Sequence, residues 1–209
     1  MAAATTDVSI CNSALIKLGA ERINTLTDDS KRARLCLEQY CKVRDDLLRS
    51  HKWNFAISRQ TLAKSATYTP AFEFESAFPY PINVLRILKL DVNVGSQLGE
   101  REWKVEIDPV NFEKFIVCNE DAIAIEAIYK VPESRFDVMF TEVLANKLAA
   151  DIGYAPTNST TLVNLYFQKA EKQLADARTY DAQEASVPKA EDDDWLAVRL
   201  AGGPGFFNP

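Results

Sequence analysis

The chain changes from a helical to a strand pattern within one stretch, Arg44-Asp45-Asp46-Leu47-Leu48-Arg49-Ser50-His51-Lys52-Trp53-Asn54-Phe55-Ala56. Before it, apolar residues recur at three- and four-residue spacing, which predicts a helix that is capped by one of residues 28–30 and runs to about Ser50. After it, aromatic and β-branched residues from Trp53 to about Ala63 predict a first strand. The stretch therefore separates a helical N-terminal part from a β-rich segment.

The same two spacings of apolar residues, helical and strand-like, predict the secondary structure of the segments on either side. Helical spacing predicts further helices from about Thr6 to Leu18, from about Glu133 to Gly153 and from Pro156 to about Tyr180. Strand patterns cover about 84–92, 102–107 and 122–129, whereas 112–117 is ambiguous and the proline-containing 65–81 is turn-like. This order predicts an α+β, mainly α fold: a four-helix bundle from both chain ends with a small antiparallel β insertion and an extended C-terminal arm.

The predicted division assigns 1–52 and 131–181 to the helical bundle, 53–130 to the β-rich insertion and 182–209 to the C-terminal arm. The arm has no sustained period, which is typical of an extended segment. Six acidic and two basic residues from Asp181 onward give this end −4 of the net charge of −6. Large apolar residues lie among these charges, so we expect the arm to contact a partner through Asp192, Asp193, Asp194, Trp195, Leu196, Phe206 and Phe207.

Composition excludes several classes of function. A chain of 209 residues with a net charge of −6 and no long run of Lys or Arg is a poor candidate for sequence-independent binding of nucleic acid. No stretch approaches the ~20 apolar residues of a membrane-spanning helix, and the N-terminus lacks the basic start and apolar core of a signal peptide. We therefore expect a protein made in the cytoplasm that does not bind membranes.

Few residues are candidates for catalysis or for cofactor binding. His51 is the only histidine, and its place at a predicted helix end favours a charge interaction with the helix dipole. Cys11, Cys36, Cys41 and Cys118 are interpreted as reduced thiols, three of them beside helical apolar stripes, in preference to a zinc site. Paired carboxylates at 28–29, 45–46, 120–121 and 192–194 leave a glycoside hydrolase open as an alternative. No cofactor is expected.

Aromatic residues crowd the proline-rich connection between the first two predicted strands. Phe72, Phe74 and Phe78 have two alternative roles. They cover the base of the β insertion, or they form a contact surface, since exposed aromatic patches mark interfaces.

Several segments, taken in order, resemble the head-to-tail adaptors of short-tailed bacteriophages, the tail tubular protein A type. The first is Asn12-Ser13-Ala14-Leu15-Ile16-Lys17-Leu18-Gly19, followed by Ile23, Leu26, Asp28, Ser30 and Ala33. The others are residues 44–56, Tyr80-Pro81-Ile82-Asn83-Val84-Leu85-Arg86-Ile87, Phe140 to Ala150, and 175–182. The resemblance covers about residues 7–185.

The resemblance implies a structural virion protein without an active site. Such adaptors form a dodecameric ring between the portal protein and the tail nozzle protein, in the neck of the virion. The ring lines the conduit through which the genome is ejected, so DNA passes it without sequence-specific binding. A tail-associated peptidoglycan hydrolase that uses a carboxylate pair is the alternative function.

Overall fold

The computed structural model describes residues 5–91 and 102–184, which form five α-helices and six β-strands. The helices are α1 (Asp7–Lys17), α2 (Lys31–Ser50), α3 (Val138–Ile152), α4 (Tyr154–Thr157) and α5 (Thr160–Gln183). The strands are β1 (Ile57–Leu62), β2 (Ser76–Pro79), β3 (Val84–Asp91), β4 (Lys104–Ile107), β5 (Lys114–Cys118) and β6 (Ile123–Tyr129). Short 3-10 turns at Asn54–Ala56 and Glu133–Arg135 connect the helices to the strands.

Polar side chains fix where the long helices begin. The Thr6 and Ser9 side chains each accept from the other residue's backbone N–H at the start of α1, which is a capping box. Ser30, Asp137 and Ser159 cap α2, α3 and α5 by accepting hydrogen bonds from backbone N–H groups of the first turn. The sequence placed the first two starts within one residue, because the capping residue and the apolar stripe are both local signals.

Helix α3 occupies the centre of the helical part. Its buried residues lie on every side of the helix: Phe140, Val143, Leu144, Ala145, Asn146, Leu148, Ala149, Ala150 and Ile152. It packs against α1, α2 and α5, whereas α1 and α2 barely contact each other. A helix that is apolar all round must be covered on all sides. The predicted four-helix bundle is therefore wrong: three helices surround a central one.

The six strands form two antiparallel sheets. In the first sheet β6 lies between β1 and β3, and in the second β5 lies between β2 and β4. Register pairs Ile57 with Ile128 in the first sheet and Phe78 with Ile116 in the second. Along β6, Ile123, Ile125 and Ala127 are buried, as expected for residues that share one face of a strand.

The two sheets share a hydrophobic core of their own. It combines Leu62, Val84, Ile123, Ile125 and Ala127 of the first sheet with Phe78, Ile116 and Cys118 of the second. Because two three-stranded sheets with a separate core make up this region, the expectation of a small β insertion in a helical bundle is also wrong.

The first sheet is joined to the helices through β6 and the segment before β1. Ile128 belongs to the helical core, on the opposite face of β6 from Ala127. Trp53 is buried beside it, where its indole Nε1 donates to the Leu47 carbonyl at 3.0 Å and its ring meets Phe140 edge to face. Residues 44–56 thus lead from the helical core into β1 of the first sheet.

Several sequence expectations differ from the structure in detail. The turn-like 65–81 contains β2, and Phe167, assigned to the buried side of the last helix, is 58% exposed. Helix α5 buries small residues instead, Ala170 and Ala177 together with Leu174, which allows a close approach to α3. That helix extends to Gln183, so the first two residues assigned to the arm are helical.

Candidate interaction surfaces

A group of exposed apolar side chains lies at one end of the second sheet. Ile107 pairs with Lys114 and Pro79 pairs with Phe115, so the turn at 108–113 and the segment at 79–82 share that end. The side chains of Ile82, Ile107, Val110 and Phe112, which we call the apolar end surface, are 97%, 52%, 78% and 74% exposed. A cluster of this kind is typical of a protein–protein contact.

The turn that carries Val110 and Phe112 is held by Asp108, which is itself buried. The Asp108 carboxylate accepts from the Val110 backbone N–H at 3.0 Å and from the Asn111 side-chain amide at 3.1 Å. Its backbone carbonyl accepts from the Phe112 N–H at 2.8 Å. The turn is therefore ordered by its own hydrogen bonds, and its two apolar side chains point away from the cores.

Phe112 adopts a left-handed backbone conformation, with φ of 57°. This conformation is unfavourable for a bulky residue other than glycine and costs about 1–3 kcal/mol. An exposed aromatic ring held at that cost contributes little to the fold. The strain therefore points to a role in binding.

The aromatic residues named from the sequence separate into one exposed and two buried side chains. Phe72 is 81% exposed. It precedes Glu73, which also has a positive φ of 69° and whose carboxylate lies 2.9 Å from Lys104 Nζ. Phe78 is buried in the core that the two sheets share, and Phe74 is buried in a smaller cluster with Ala77, Phe115 and Val117, so neither presents a surface to a partner.

The arm residues named from the sequence lie outside the described residues. These are Asp192, Asp193, Asp194, Trp195, Leu196, Phe206 and Phe207. The described chain ends with Gln183 and Glu184, close to a cavity of about 580 Å³ that Trp53, Phe55 and Tyr180 help to line.

Three of the carboxylates considered for hydrolysis, Asp28, Asp45 and Asp121, have structural partners. Asp28 accepts hydrogen bonds from the backbone of Asn24 and Thr25 and from the Thr25 hydroxyl, which lowers its pKa. Asp45 pairs with Arg44 and Lys130, and Asp121 pairs with Lys64.

One further acid pair faces a groove between α2 and α3. Asp46 and Asp151 line this groove, of about 260 Å³, together with Lys42 and Lys147. Partial burial raises the pKa of Asp151 and Lys147 opposes that shift. Both residues remain exposed overall, despite this partial burial of the Asp151 carboxyl.

The thiols form a buried pair and two isolated groups. Cys11 and Cys36 are buried together, and their hydrogen bond, followed by burial, raises the pKa of Cys11. Cys118 is buried in the β region, and Cys41, expected among buried thiols, is exposed. Within residues 5–91 and 102–184, no group of three or more His, Cys, Asp or Glu residues is placed to hold a metal ion. No helix in those ranges is both long and apolar enough to span a bilayer.

The apolar end surface was not predicted from the sequence, which placed Ile107 in a strand, left 108–111 unassigned and left 112–117 ambiguous between strand and helix. The signal was present in Asp108-Pro109-Val110-Asn111-Phe112, where Asp, Pro and Asn mark a turn. Apolar residues inside such a turn cannot reach a core that lies on the sheet face, so they become exposed.

Comparison with known proteins adds no assignment. No protein-family model matches this sequence, and no curated protein sequence matches it either.

Proposed function

We propose that this chain is a structural virion protein: a head-to-tail adaptor that forms a ring between the portal and the tail nozzle of a short-tailed bacteriophage. In this role it lines the DNA conduit in the neck of the virion without sequence-specific binding of DNA. Its function lies in contact surfaces, and it is not an enzyme. We infer the adaptor family from the sequence resemblance over residues 7–185.

The observation that carries the proposal is the apolar end surface. Ile82, Val110 and Phe112 are each more than 70% exposed, and Phe112 is held there in a strained conformation. Apolar area of this kind is stabilised when a partner removes it from water, by about 25 cal/mol per Å². An adaptor subunit has such partners permanently, since each copy contacts neighbours in the ring and in the tail.

The acidic arm provides a second contact in this proposal. A segment with large apolar residues among charges can wrap a partner surface as it becomes ordered. We assign the arm to the portal or to a neighbouring subunit, and the apolar end surface to the nozzle or to adjacent adaptors.

The test is reconstitution. The full chain is mixed with the portal ring of the phage that encodes it, and the product is imaged by electron microscopy. The proposal expects a second ring, with twelve copies, seated on the portal. A chain that stays unbound at concentrations of tens of micromolar contradicts it.

A peptidoglycan zymogram of the same preparation tests the alternative. The adaptor proposal expects no clearing. Clearing that disappears with Asp46→Asn or Asp151→Asn would instead support hydrolysis by a carboxylate pair.

A further inference from the structure

A basic cleft opens at the side of the β region, between the two sheets. It has a volume of about 410 Å³, and its lining includes Arg49 from the end of α2, Arg86 from β3 and Lys114 from β5. Tyr80 and Trp103 add aromatic walls. The cleft thus combines three cations with two rings.

The three cations have no acidic partners in the described part of the chain. Among residues 5–91 and 102–184, none of the ion pairs involves Arg49, Arg86 or Lys114. Arg86 Nη1 donates to the Arg49 backbone carbonyl at 3.2 Å, and Lys114 Nζ lies 5.9 Å from the centre of the Tyr80 ring. Neither contact supplies a negative charge, so among the described residues three cations line the cleft without a carboxylate beside them and the cleft attracts anions.

Strand geometry keeps Glu106, the acid of β4, away from this cleft. Trp103 and Val105 line it, whereas Lys104 and Glu106 alternate to the other face of the strand. Glu113 does not line the cleft but the adjoining cavity, which shares Tyr80, Val84 and Lys114 with it. The cleft is also bordered by β3 and β4, which are the edge strands of their sheets.

We propose that the segment Asp192-Asp193-Asp194-Trp195-Leu196 of the same chain binds this cleft, with its carboxylates at Arg49, Arg86 and Lys114 and its indole against Trp103 and Tyr80. Three consecutive acids followed by an aromatic residue match three cations beside two rings. Charge-assisted hydrogen bonds from Arg and Lys to carboxylates are stronger than hydrogen bonds between neutral groups. The inference does not depend on the adaptor role.

The end of α5 lies within reach of the cleft. Arg178 Nη2 donates to the Ser50 hydroxyl at 3.3 Å, and Asp181 Oδ2 lies 3.3 Å from His51 Nε2. Ser50 follows Arg49 directly, so α5 ends beside the wall of the cleft. Seven residues lie between Glu184 and Asp192, and the eight extended Cα–Cα steps between them span up to about 28 Å.

Binding within one chain is also favoured by concentration. A short tether holds the segment near the cleft at an effective concentration in the millimolar range. The arm is then stored on its own subunit until a partner competes for it, and screening by salt weakens the contact.

The experiment uses the full chain labelled with 5-fluorotryptophan. The chain has three tryptophans, so the ¹⁹F spectrum has three resonances, and Trp195→Phe and Trp103→Phe assign two of them. We expect the Trp195 resonance at low salt to be displaced from the position of a free indole. It should return there in 1 M NaCl and in the variant D192N/D193N/D194N, while the Trp103 resonance shifts at the same time.

Two further variants localise the effect. R49Q/R86Q/K114Q should release Trp195 as the arm variant does. The matched control E38Q/E75Q/D176N removes three exposed acids elsewhere and should leave the spectrum unchanged. Circular dichroism verifies that each variant is folded, and the salt titration of the unaltered chain needs no substitution.

Three other outcomes of these measurements would each overturn the proposal. A Trp195 resonance at the free-indole position in low salt means that the segment is not bound. A displacement that fades on tenfold dilution assigns the cleft to the arm of a second copy. A Trp103 shift produced by a single-stranded oligonucleotide, with Trp195 unaffected throughout, assigns the cleft to nucleic acid.

Discussion

The imidazole Nε2 of His51 lies 3.3 Å from the carboxylate Oδ2 of Asp181. Asp181 also accepts the backbone N–H of Asn54 at 2.9 Å, and its carbonyl accepts from the Asn54 side-chain amide at 2.6 Å. The end of α5 is therefore fastened to the connection between α2 and β1, across 127 residues of sequence. This contact fixes the position of the end of α5, from which residue 185 continues.

The first prediction concerns the charge of His51. Burial lowers its pKa from 6.5, Arg178 lowers it further, and Asp181 opposes them. Because the folded state binds the proton less tightly than the unfolded state, this contribution to stability is complete above about pH 6.5. It decreases as the pH falls through the lower folded pKa. Proton NMR of the single histidine measures this pKa directly, and we expect a value below 6.5.

Asp181→Asn isolates the role of the carboxylate in that prediction. Removing the negative charge should lower the pKa of His51 further. Asp176→Asn is the control. It replaces an exposed acid on the same helix and should leave the pKa of His51 unchanged. A pKa above 6.5, or a rise in Asp181→Asn, would contradict the assignment.

The second prediction separates binding from folding at Phe112. Phe112→Asn removes an exposed ring and places a residue that tolerates left-handed backbone. We expect the free energy of unfolding to stay equal or rise by up to about 1 kcal/mol, whereas assembly on the portal weakens at least tenfold. The control Val138→Asn replaces an equally exposed apolar residue far from the apolar end surface. Equal loss of assembly in both variants would count against this surface.

The third prediction concerns Arg44, whose side chain is buried between α2 and the start of α3. Its Nη1 donates to Glu133 at 3.0 Å, and the Tyr40 hydroxyl donates to the same carboxylate at 3.2 Å. Glu133→Ala leaves both donors without that acceptor and should cost about 2 kcal/mol in chemical denaturation. The pair of Lys147 and the exposed Glu171, which is less buried than that of Arg44 and Glu133, supplies the control, since Glu171→Ala should cost under about 1 kcal/mol. If Glu133→Ala and Glu171→Ala lower the free energy of unfolding by similar amounts, Arg44 is not effectively removed from water.

The fourth prediction concerns Gly153, where α1, α3 and α5 approach most closely. A Cβ atom there would lie 2.5 Å from the Ala149 carbonyl oxygen and 3.1 Å from Leu18 Cδ2. Gly153→Ala should therefore destabilise the fold by about 1–3 kcal/mol through overpacking. Gly19→Asn is the control, because Gly19 has open space around it and a positive φ that Asn accepts. Thermal unfolding measures both, and an unaltered melting temperature in Gly153→Ala would refute the close approach.

The fifth prediction concerns the arm. Deletion of residues 186–209 should leave the monomer folded, since the described residues 5–91 and 102–184 already form both cores. It should abolish ring assembly on the portal, as followed by electron microscopy and sedimentation. Normal assembly of the truncated chain would exclude the arm from portal and subunit contacts.

Local signals predicted the first two helices closely. The expected helix from Thr6 to Leu18 is α1, and the expected helix ending near Ser50 is α2. Both depend on an apolar stripe and a capping side chain within about 20 residues. By contrast, β2 was not predicted, because Pro79 and its neighbouring prolines are typical of a turn. Proline is tolerated here because β2 is an edge strand of its sheet.

The amino-acid sequence alone determined which segments are helical, most of the strands, and the concentration of negative charge beyond Asp181. Tertiary structure decided that α3 is central, that Phe78 is buried while Phe112 is exposed, and that Arg49, Arg86 and Lys114 share one cleft. The physical reason is that periodicity specifies which face of an element is apolar. It does not specify which distant element covers that face, and only the packing of α2, β3 and β5 brought these three cations to one cleft.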